Sequence, residues 1–186
     1  MLANPLTQEG VVFTLGYQLR QLPDFINLLL EVGVDTVIDV RQTPWSYRPG
    51  FSAKPLQEGL KEQNIGYITA KFAGNPKAIR TQATSHAESL ELYAAHLAEQ
   101  PEILQQLEDT IRPLLSMGKN VCLVCYERHP ADCHRAILAY GWRDMLSTQA
   151  TITHLDPDGA PRFTAFKTDS IEKLVATALQ ASLLDA

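Results

Sequence analysis

The side chains with the greatest capacity for chemistry lie together in the segment 125–135, whose sequence is Cys-Tyr-Glu-Arg-His-Pro-Ala-Asp-Cys-His-Arg. Asp132 is a residue type that favours the position before a helix, so we expect a helix with Cys133 in its first turn. Free backbone amides in a first turn attract anions and lower the pKa of a thiol, although the Asp132 carboxylate opposes both effects. Cys133 is therefore a candidate nucleophile, and Glu127 is a second candidate catalytic residue.

A metal site is another interpretation of this segment. Two thiols, Cys125 and Cys133, accompany the imidazoles of His129 and His134, and zinc prefers thiolate and imidazole ligands. Their spacing differs from the paired CxxC arrangement of structural zinc sites, and the chain is long enough to fold around its own core. We therefore predict no metal ion and no cofactor. Cys125 ends an apolar run and is predicted to be a core residue.

A second polar group, Asp39-Val40-Arg41, follows an apolar run typical of a strand. Side chains two residues apart on a strand share a face, so the two charges are predicted neighbours. Arg41 offers a planar fork of donors that matches a phosphate, which makes it a candidate ligand-binding residue, and Asp39 is a candidate catalytic residue. The alternative is an internal ion pair that fixes the following loop. In the same way, Arg135 could tie its helix to Glu127 or Asp39, and the cluster would then be structural.

Strands that alternate with helices position these groups. Apolar runs rich in β-branched residues predict strands at 11–15, 34–40, 66–69, 120–126 and 150–155. Helical periodicity and capping residues, including a capping box at Ser85 and Glu88, predict helices at 25–32, 52–63, 85–99, 101–117 and 133–146. A hairpin partner at 162–166 and a final helix opening at Asp169 complete the pattern. The alternation predicts an α/β fold, a three-layer sandwich with a mainly parallel sheet and helices on both faces.

The ligands of such sheets bind beyond the carboxyl ends of the strands, and three predicted strands end there in polar groups. We therefore predict that the charged and thiol side chains converge on one site, formed by Asp39, Arg41, Glu127, Cys133 and Arg135. The predicted ligand-binding residues at this edge are Arg41, Arg135, His134, Tyr17 and Ser46.

Charge and aromatic residues indicate what this site binds. The whole chain has a net charge of −5, which argues against a general nucleic-acid coat, but segment 41–80 holds seven basic and two acidic side chains. Trp45, Tyr47 and Phe51 alternate with basic residues there, an arrangement that can stack bases and hold phosphates. We predict a phosphate-bearing partner, a nucleotide or nucleic acid, and an enzymatic role is open. The alternatives are aromatic side chains that fold back on the core and a non-catalytic interaction module.

The remaining composition is that of an ordinary globular chain, 186 residues long with 45% hydrophobic and 20% charged residues, which predicts one α/β domain over 1–186. No apolar run approaches the roughly 18 residues of a membrane helix, and we see no secretory signal. Three cysteines do not make a disulfide framework. We therefore expect a cytoplasmic protein that does not enter a membrane.

The motifs resemble those of the domain of unknown function family 488, over about residues 12–145. The resemblance is carried by Asp39-Val40-Arg41, Pro44, Ser46, Phe51-Ser52, Gly74, Cys125-Tyr126-Glu127 and Cys133-His134-Arg135. Many members have Gly-His after the first strand, whereas this chain has Gly16-Tyr17, so that histidine is not essential here. The family has no settled activity. The resemblance implies the fold and implies that these residues form one site, with the C-terminal strand, hairpin and helix at 150–186 outside the family-like core.

Overall fold

The computed structural model describes residues 10–146, 150–155 and 175–177. Its centre is a sheet of five parallel strands in the spatial order β3-β2-β4-β1-β5. The strands are β1 (Val12–Gly16), β2 (Thr36–Asp39), β3 (Gly66–Thr69), β4 (Val121–Cys125) and β5 (Ile152–His154). The helices are α1 (Leu22–Glu31), α2 (Ala53–Glu62), α3 (Lys77–Gln82), α4 (His86–Glu99), α5 (Pro101–Ser116) and α6 (His134–Met145). The predicted α/β class with a mainly parallel sheet is confirmed.

Right-handed crossovers explain why helices cover both faces of the sheet. The chain passes from β1 through α1 to β2 and through α2 to β3 in one direction across the sheet. It then returns to β4 and β5 in the opposite direction, and a right-handed connection that reverses direction changes face. Phe25 of α1 and Leu56 of α2 accordingly lie in one core, and Tyr93 of α4, Leu107 of α5 and Trp142 of α6 lie in the other. The predicted three-layer arrangement is confirmed.

Side chains alternate between these two cores along each strand. In β4, Cys122 packs under α1 and α2, whereas Cys125 packs under α4, α5 and α6. In β2, Val37 belongs to the core under α1 and α2, and the period of two places Asp39 on the same face. The two polar groups predicted from the sequence therefore lie at the same edge of the sheet but start from opposite faces.

The start of α6 differs from the prediction by one residue. Cys133, not Asp132, is the N-cap, with an extended backbone at φ −138° and ψ 134°, and α6 begins at His134. The cause is Pro130, which opens a short 3₁₀ turn that ends at Asp132. Asp132 is part of that turn and is therefore not in the capping position. The Cys133 thiol therefore lies at the N-cap, directly before the first turn of α6, and not inside that turn.

One half of the predicted capping box at the start of α4 is present, since Ser85 Oγ accepts a hydrogen bond of 3.1 Å from the backbone amide of Glu88. The Glu88 carboxylate accepts from the amide of Thr84 at 2.6 Å. The sequence pattern does not predict α3, because this helix buries no side chain and carries no apolar periodicity. The predicted strand at 162–166 and the helix opening at Asp169 lie outside the described residues. Within the described part of the chain, none of the helices has the length and apolarity needed to cross a membrane.

Candidate functional site

A cavity of about 650 Å³ lies at the carboxyl edge of the sheet. The first residues after β1, β2 and β4 form the base of the cavity. Residues further along the loop after β2, at 42–43 and 45–48, and the segment from α3 into α4 form its walls. Its lining consists of residues 17, 41–43, 45–48, 75, 80, 83–86, 89–90, 125–127 and 134. The predicted site residues Tyr17, Arg41, Ser46, Glu127 and His134 are among them, while Asp39, Cys133 and Arg135 lie beneath this lining.

Gly16 permits the close approach of two strand ends. A Cβ atom at Gly16 would lie 1.7 Å from the carbonyl oxygen of Glu127, so any larger residue would displace the segment after β4. With glycine there, Tyr17 donates its amide to Cys125 O at 3.2 Å and Gln18 donates its amide to Tyr126 O at 2.8 Å. The segment that carries Glu127 is thereby held across the end of β1.

Asp39 and Arg41 form the predicted pair, and it is buried. Nε of Arg41 donates to Oδ1 of Asp39 at 2.8 Å and Nη2 donates to Oδ2 at 2.5 Å. Nη1 donates to the hydroxyl of Tyr17 and to the carbonyl of Phe51, both at 2.8 Å. The hydroxyl of Tyr67 donates to the same carboxylate at 2.7 Å. This geometry is that of an internal ion pair that fixes the loop after β2, and ligand binding by Arg41 stays a prediction.

Burial alone would lower the pKa of the Arg41 guanidinium, but the hydrogen-bonded carboxylate of Asp39 raises it beyond its ordinary value. Burial first, and then the Asp39 charge, raise the pKa of the Tyr67 phenol. Both shifts keep the network in one protonation state, with the phenol neutral and the guanidinium charged.

Arg135 is fully buried and makes its described hydrogen bonds to neutral oxygens. Its guanidinium donates to the carbonyl of Glu127 at 2.6 Å and to the carbonyl of Arg128 at 3.2 Å, and it reaches Oγ1 of Thr14 at 3.4 Å. The predicted tie between this helix and the Glu127 segment exists, but it runs through backbone carbonyls and not through the carboxylate. Arg135 therefore positions Glu127, and its role as a ligand-binding residue stays a prediction.

A second cluster combines two thiols, a carboxylate and an imidazole. Sγ of Cys133 lies 2.9 Å from Oε2 of Glu127, and Sγ of Cys125 lies 3.4 Å from the same oxygen. Nδ1 of His134 lies 3.6 Å from Sγ of Cys125, and its Nε2 lies 3.0 Å from the carbonyl oxygen of Val40. A carbonyl only accepts, so Nε2 carries the hydrogen and Nδ1 faces the thiols. Cys125 is in the core as predicted, but its sulfur belongs to this cluster.

These groups change one another's protonation. Burial alone would raise the pKa of the Cys133 thiol, but the hydrogen bond from Cys125 and the positive charges of Arg135 and His134 hold this pKa well below its ordinary value. The hydrogen bond to Cys133, together with burial, raises the pKa of the Cys125 thiol. Burial, together with the charge on Cys133, raises the pKa of the Glu127 carboxyl to about 7. Of the two thiols in the cluster, Cys133 is therefore the one that ionises more readily.

The rim of the cavity is aromatic and basic. Trp45 is 55% exposed and Tyr47 is 90% exposed, and their rings meet edge to face with centroids 4.2 Å apart. Phe51, the third aromatic residue of the loop, is fully buried and stacks on the ring of Tyr17 at 4.4 Å. Phe51 therefore folds back on the core, which is one of the predicted alternatives, whereas the rings of Trp45 and Tyr47 are exposed to contact with a ligand. Arg48 lines the cavity beside them.

Sequence reasoning did not single out several lining residues, among them Gln42, Asn75, Arg80 and Ser89. They come from a loop and from helix starts that approach only in three dimensions. Nδ2 of Asn75 donates to Oγ of Ser89 at 3.1 Å, and among the described residues no group pairs with its buried Oδ1. Gly74 is the residue by which the sequence could have indicated that this loop packs closely against another segment. In the structure, a Cβ at Gly74 would lie 2.2 Å from the amide nitrogen of Gln42.

Fold and site together define a parallel α/β domain whose carboxyl edge carries a buried ion pair and a thiol–carboxylate–imidazole cluster at one cavity. The chain belongs to the family described as the domain of unknown function DUF488, whose model matches residues 21–140. This match lies inside the range predicted from the motifs. Neither the curated proteins nor the solved structures contain a significant match to the chain.

Proposed function

We propose that the cavity binds a phosphate-bearing ligand of nucleotide size. The observation that supports this most is one cavity with exposed aromatic rings and guanidinium groups at its rim and reactive side chains at its base. Its volume of about 650 Å³ lies within the range of small-molecule sites. A long nucleic-acid strand would need an extended basic groove, and the net charge of −5 does not favour one.

The base of such a ligand would stack on the exposed indole of Trp45 or the phenol of Tyr47. Stacking between an aromatic side chain and a base contributes about 1–3 kcal/mol and requires no particular base. The phosphate would lie near the guanidinium groups of Arg48 and Arg80. Arg80 is exposed and reaches the carbonyl of Asn75 at 3.2 Å and Oε1 of Gln42 at 3.4 Å, contacts that a phosphate can replace or share.

The cluster at the base would act on the bound ligand as the catalytic part of an enzyme, with Cys133 and Glu127 as the predicted reactive groups. Only Glu127 of these two lines the cavity, so contact with the ligand would run through Glu127 and its neighbour Cys125. The three cysteines are free, which supports the cytoplasmic, reducing location predicted from the sequence.

The competing function is a non-catalytic interaction module. One observation favours it: Arg41 and Arg135 make their described hydrogen bonds within the protein, so part of the cluster is scaffold. The two functions differ in what the cavity binds. An interaction module needs no small ligand, whereas the proposed function requires one.

Calorimetric titration of the full chain with sulfate, a nucleoside, the corresponding nucleoside monophosphate and short single-stranded DNA tests the proposal. We expect the monophosphate to bind more tightly than the nucleoside or sulfate, and its affinity to fall as salt rises. Arg80→Ala and Trp45→Ala should each weaken binding about tenfold, which corresponds to about 1.4 kcal/mol.

Lys61→Ala is the matched control, because this variant removes a positive charge from the same basic segment at an exposed position of α2 outside the cavity. An equal loss of affinity in Lys61→Ala and Arg80→Ala would mean that only diffuse charge attracts the ligand. If no probe binds the wild type at millimolar concentration, the interaction module is the better account. Tighter binding of the DNA than of the monophosphate would change the ligand class to nucleic acid.

A further inference from the structure

We propose that Cys125, Glu127, Cys133 and His134 form a binding site for one zinc ion or a similar thiophilic divalent cation. Their ligand atoms, two Sγ, one carboxylate oxygen and one imidazole nitrogen, all lie within 4.8 Å of one another. The inference rests on this cluster alone and does not depend on the ligand of the cavity.

Two of the distances between ligand atoms in the cluster match those of a tetrahedral site. Zinc bonds of about 2.3 Å to sulfur and about 2.0 Å to nitrogen or oxygen, at tetrahedral angles, separate a sulfur from a nitrogen or oxygen ligand by about 3.5 Å. Sγ of Cys125 lies 3.6 Å from Nδ1 of His134 and 3.4 Å from Oε2 of Glu127. The distance from Cys133 Sγ to Glu127 Oε2 is 2.9 Å, which is shorter than this value, so these two side chains would move apart on metal binding.

The surroundings hold the ligand atoms in position. Metal-binding histidines commonly donate their other ring N–H to a carbonyl or carboxylate, which fixes the ring and its tautomer. His134 does so through Nε2 to the carbonyl of Val40, at 3.0 Å, and leaves Nδ1 directed at the sulfurs. Arg135 holds the backbone carbonyl of Glu127 at 2.6 Å. The imidazole ring and the backbone that carries the Glu127 carboxylate are therefore both held by bonds that do not involve the metal-binding atoms.

Charge supports the same assignment. Cys125 and Cys133 are 4% and 1% exposed, and a metal binds them as thiolates, which at this depth need compensating positive charge. A divalent cation together with the buried guanidinium of Arg135 would balance the two thiolates and the Glu127 carboxylate. Cys122 of β4 offers an internal comparison, because it is equally buried but lies in the other core, among apolar residues.

The sequence predicts no metal, from the ligand spacing and from the size of the core, whereas this proposal rests on distances in the folded chain. The ligands come from the end of β4, the segment after it and the start of α6, which only the folded chain brings together. The structure selects His134, and not His129, as the imidazole ligand. Cys125, Glu127 and His134 also line the cavity, so an ion bound by the cluster would lie directly beside it.

Titration of tag-free, metal-stripped protein with Co²⁺ and Cd²⁺ under a phosphine reductant tests this proposal. We expect one equivalent of metal per chain, thiolate-to-metal charge-transfer absorption, visible bands of tetrahedral Co²⁺ and release of protons on binding. Cys125→Ser and Cys133→Ser should each lower the affinity at least tenfold and reduce the charge-transfer band, and His134→Gln should weaken binding without abolishing that band.

Cys122→Ser is the control, since it removes a thiol of equal burial from outside the cluster, and it should bind like the wild type. Circular dichroism identifies any variant that does not fold. A second measurement needs only the wild-type chain: bound metal should protect Cys125 and Cys133 from an alkylating reagent. Failure of the wild type to bind one equivalent would overturn the proposal. Binding without charge-transfer absorption, or an equal loss in Cys122→Ser, would do the same. No nucleotide is present in these titrations, so their failure is separate from failure of the proposed function.

Discussion

Replacing Arg41 by alanine tests whether this arginine stabilises the fold or binds the ligand. Arg41 is 5% exposed and Asp39 is fully buried, so the variant leaves a buried carboxylate whose partners are reduced to the Tyr67 hydroxyl and backbone. It also removes the bonds from Nη1 to Tyr17 and to the carbonyl of Phe51. Removing one partner of a buried, hydrogen-bonded ion pair costs about 3–5 kcal/mol. We expect a loss of that size for Arg41→Ala.

Urea unfolding followed by circular dichroism measures this loss as a change in the free energy of unfolding. In a chain of 186 residues, each kcal/mol corresponds to about 2–4 °C in Tm, so the expected decrease is roughly 6–20 °C. Arg80→Ala is the control, because Arg80 is exposed at the rim of the same cavity, and it should change the stability by less than about 0.5 kcal/mol.

A double-mutant cycle with Asp39→Asn tests whether the loss belongs to the pair. The double variant Asp39→Asn/Arg41→Ala should be less destabilised than the two single variants added together, because neither charge is then buried alone. Arg41→Ala at wild-type stability but without nucleotide binding would refute this reasoning. Arg41 would then hold the ligand, as the sequence alone suggests.

Two further predictions concern packing and pH. Gly16→Ala should lower the free energy of unfolding by about 1–3 kcal/mol, measured by urea titration, because its Cβ would lie 1.7 Å from the Glu127 carbonyl oxygen. The same substitution should weaken metal binding. Gly141→Ala is the control: the nearest neighbours of its Cβ would be 3.7 Å away, so it should be neutral or stabilising in the same titration. Burial, aided by the charge of Arg135 and opposed by that of Cys133, lowers the pKa of His154 to about 4, so from pH about 6.5 down to about 4 the unfolded chain binds a proton that the folded chain excludes. The contribution of His154 to stability should thus be fully present above pH 6.5 and fall by roughly 3 kcal/mol toward pH 4. It is measured as the difference in pH slope between the wild type and His154→Gln, because Glu127 titrates in the same range with the opposite sign, and equal slopes would contradict this assignment.

The His154 environment explains why this ring remains neutral in the folded chain. His154 is 7% exposed, with Nδ1 at 2.7 Å from Oγ1 of Thr14 and Nε2 at 3.0 Å from the hydroxyl of Tyr140. A neutral ring satisfies both contacts with one donor and one acceptor. The buried guanidinium of Arg135 reaches the same Thr14 hydroxyl at 3.4 Å and opposes a second positive charge nearby.

Much of the site could be predicted from the sequence, because local rules determine it. Apolar runs of β-branched residues that alternate with helical periodicity specify a parallel sheet, and the carboxyl ends of parallel strands meet at one edge. Tyr17, Arg41 and Glu127 follow such strands, so their position at one edge of the sheet followed from chain order, while the adjacency of β2, β4 and β1 brings them to one cavity. The neighbouring charges of Asp39 and Arg41 followed from the period of two.

Other features depended on contacts that no sequence period encodes. Pro130 diverted the residues before α6 into a 3₁₀ turn, which moved the N-cap from Asp132 to Cys133. The residues at the wall of the cavity, such as Asn75 and Arg80, lie on segments with little apolar periodicity, so only their packing against the end of β2 brings them to the site.

The sequence by itself determined the class of fold, the edge at which polar groups gather and the pairing of Asp39 with Arg41. Only the tertiary structure decided that this pair and the thiol cluster start from opposite faces of the sheet, because strand order and the reversal of the crossovers set the faces. It also decided that Cys125, Cys133 and His134 meet around Glu127. Distances between ligand atoms depend on how a strand end, a turn and a helix start pack together, and spacing along the chain does not contain that information.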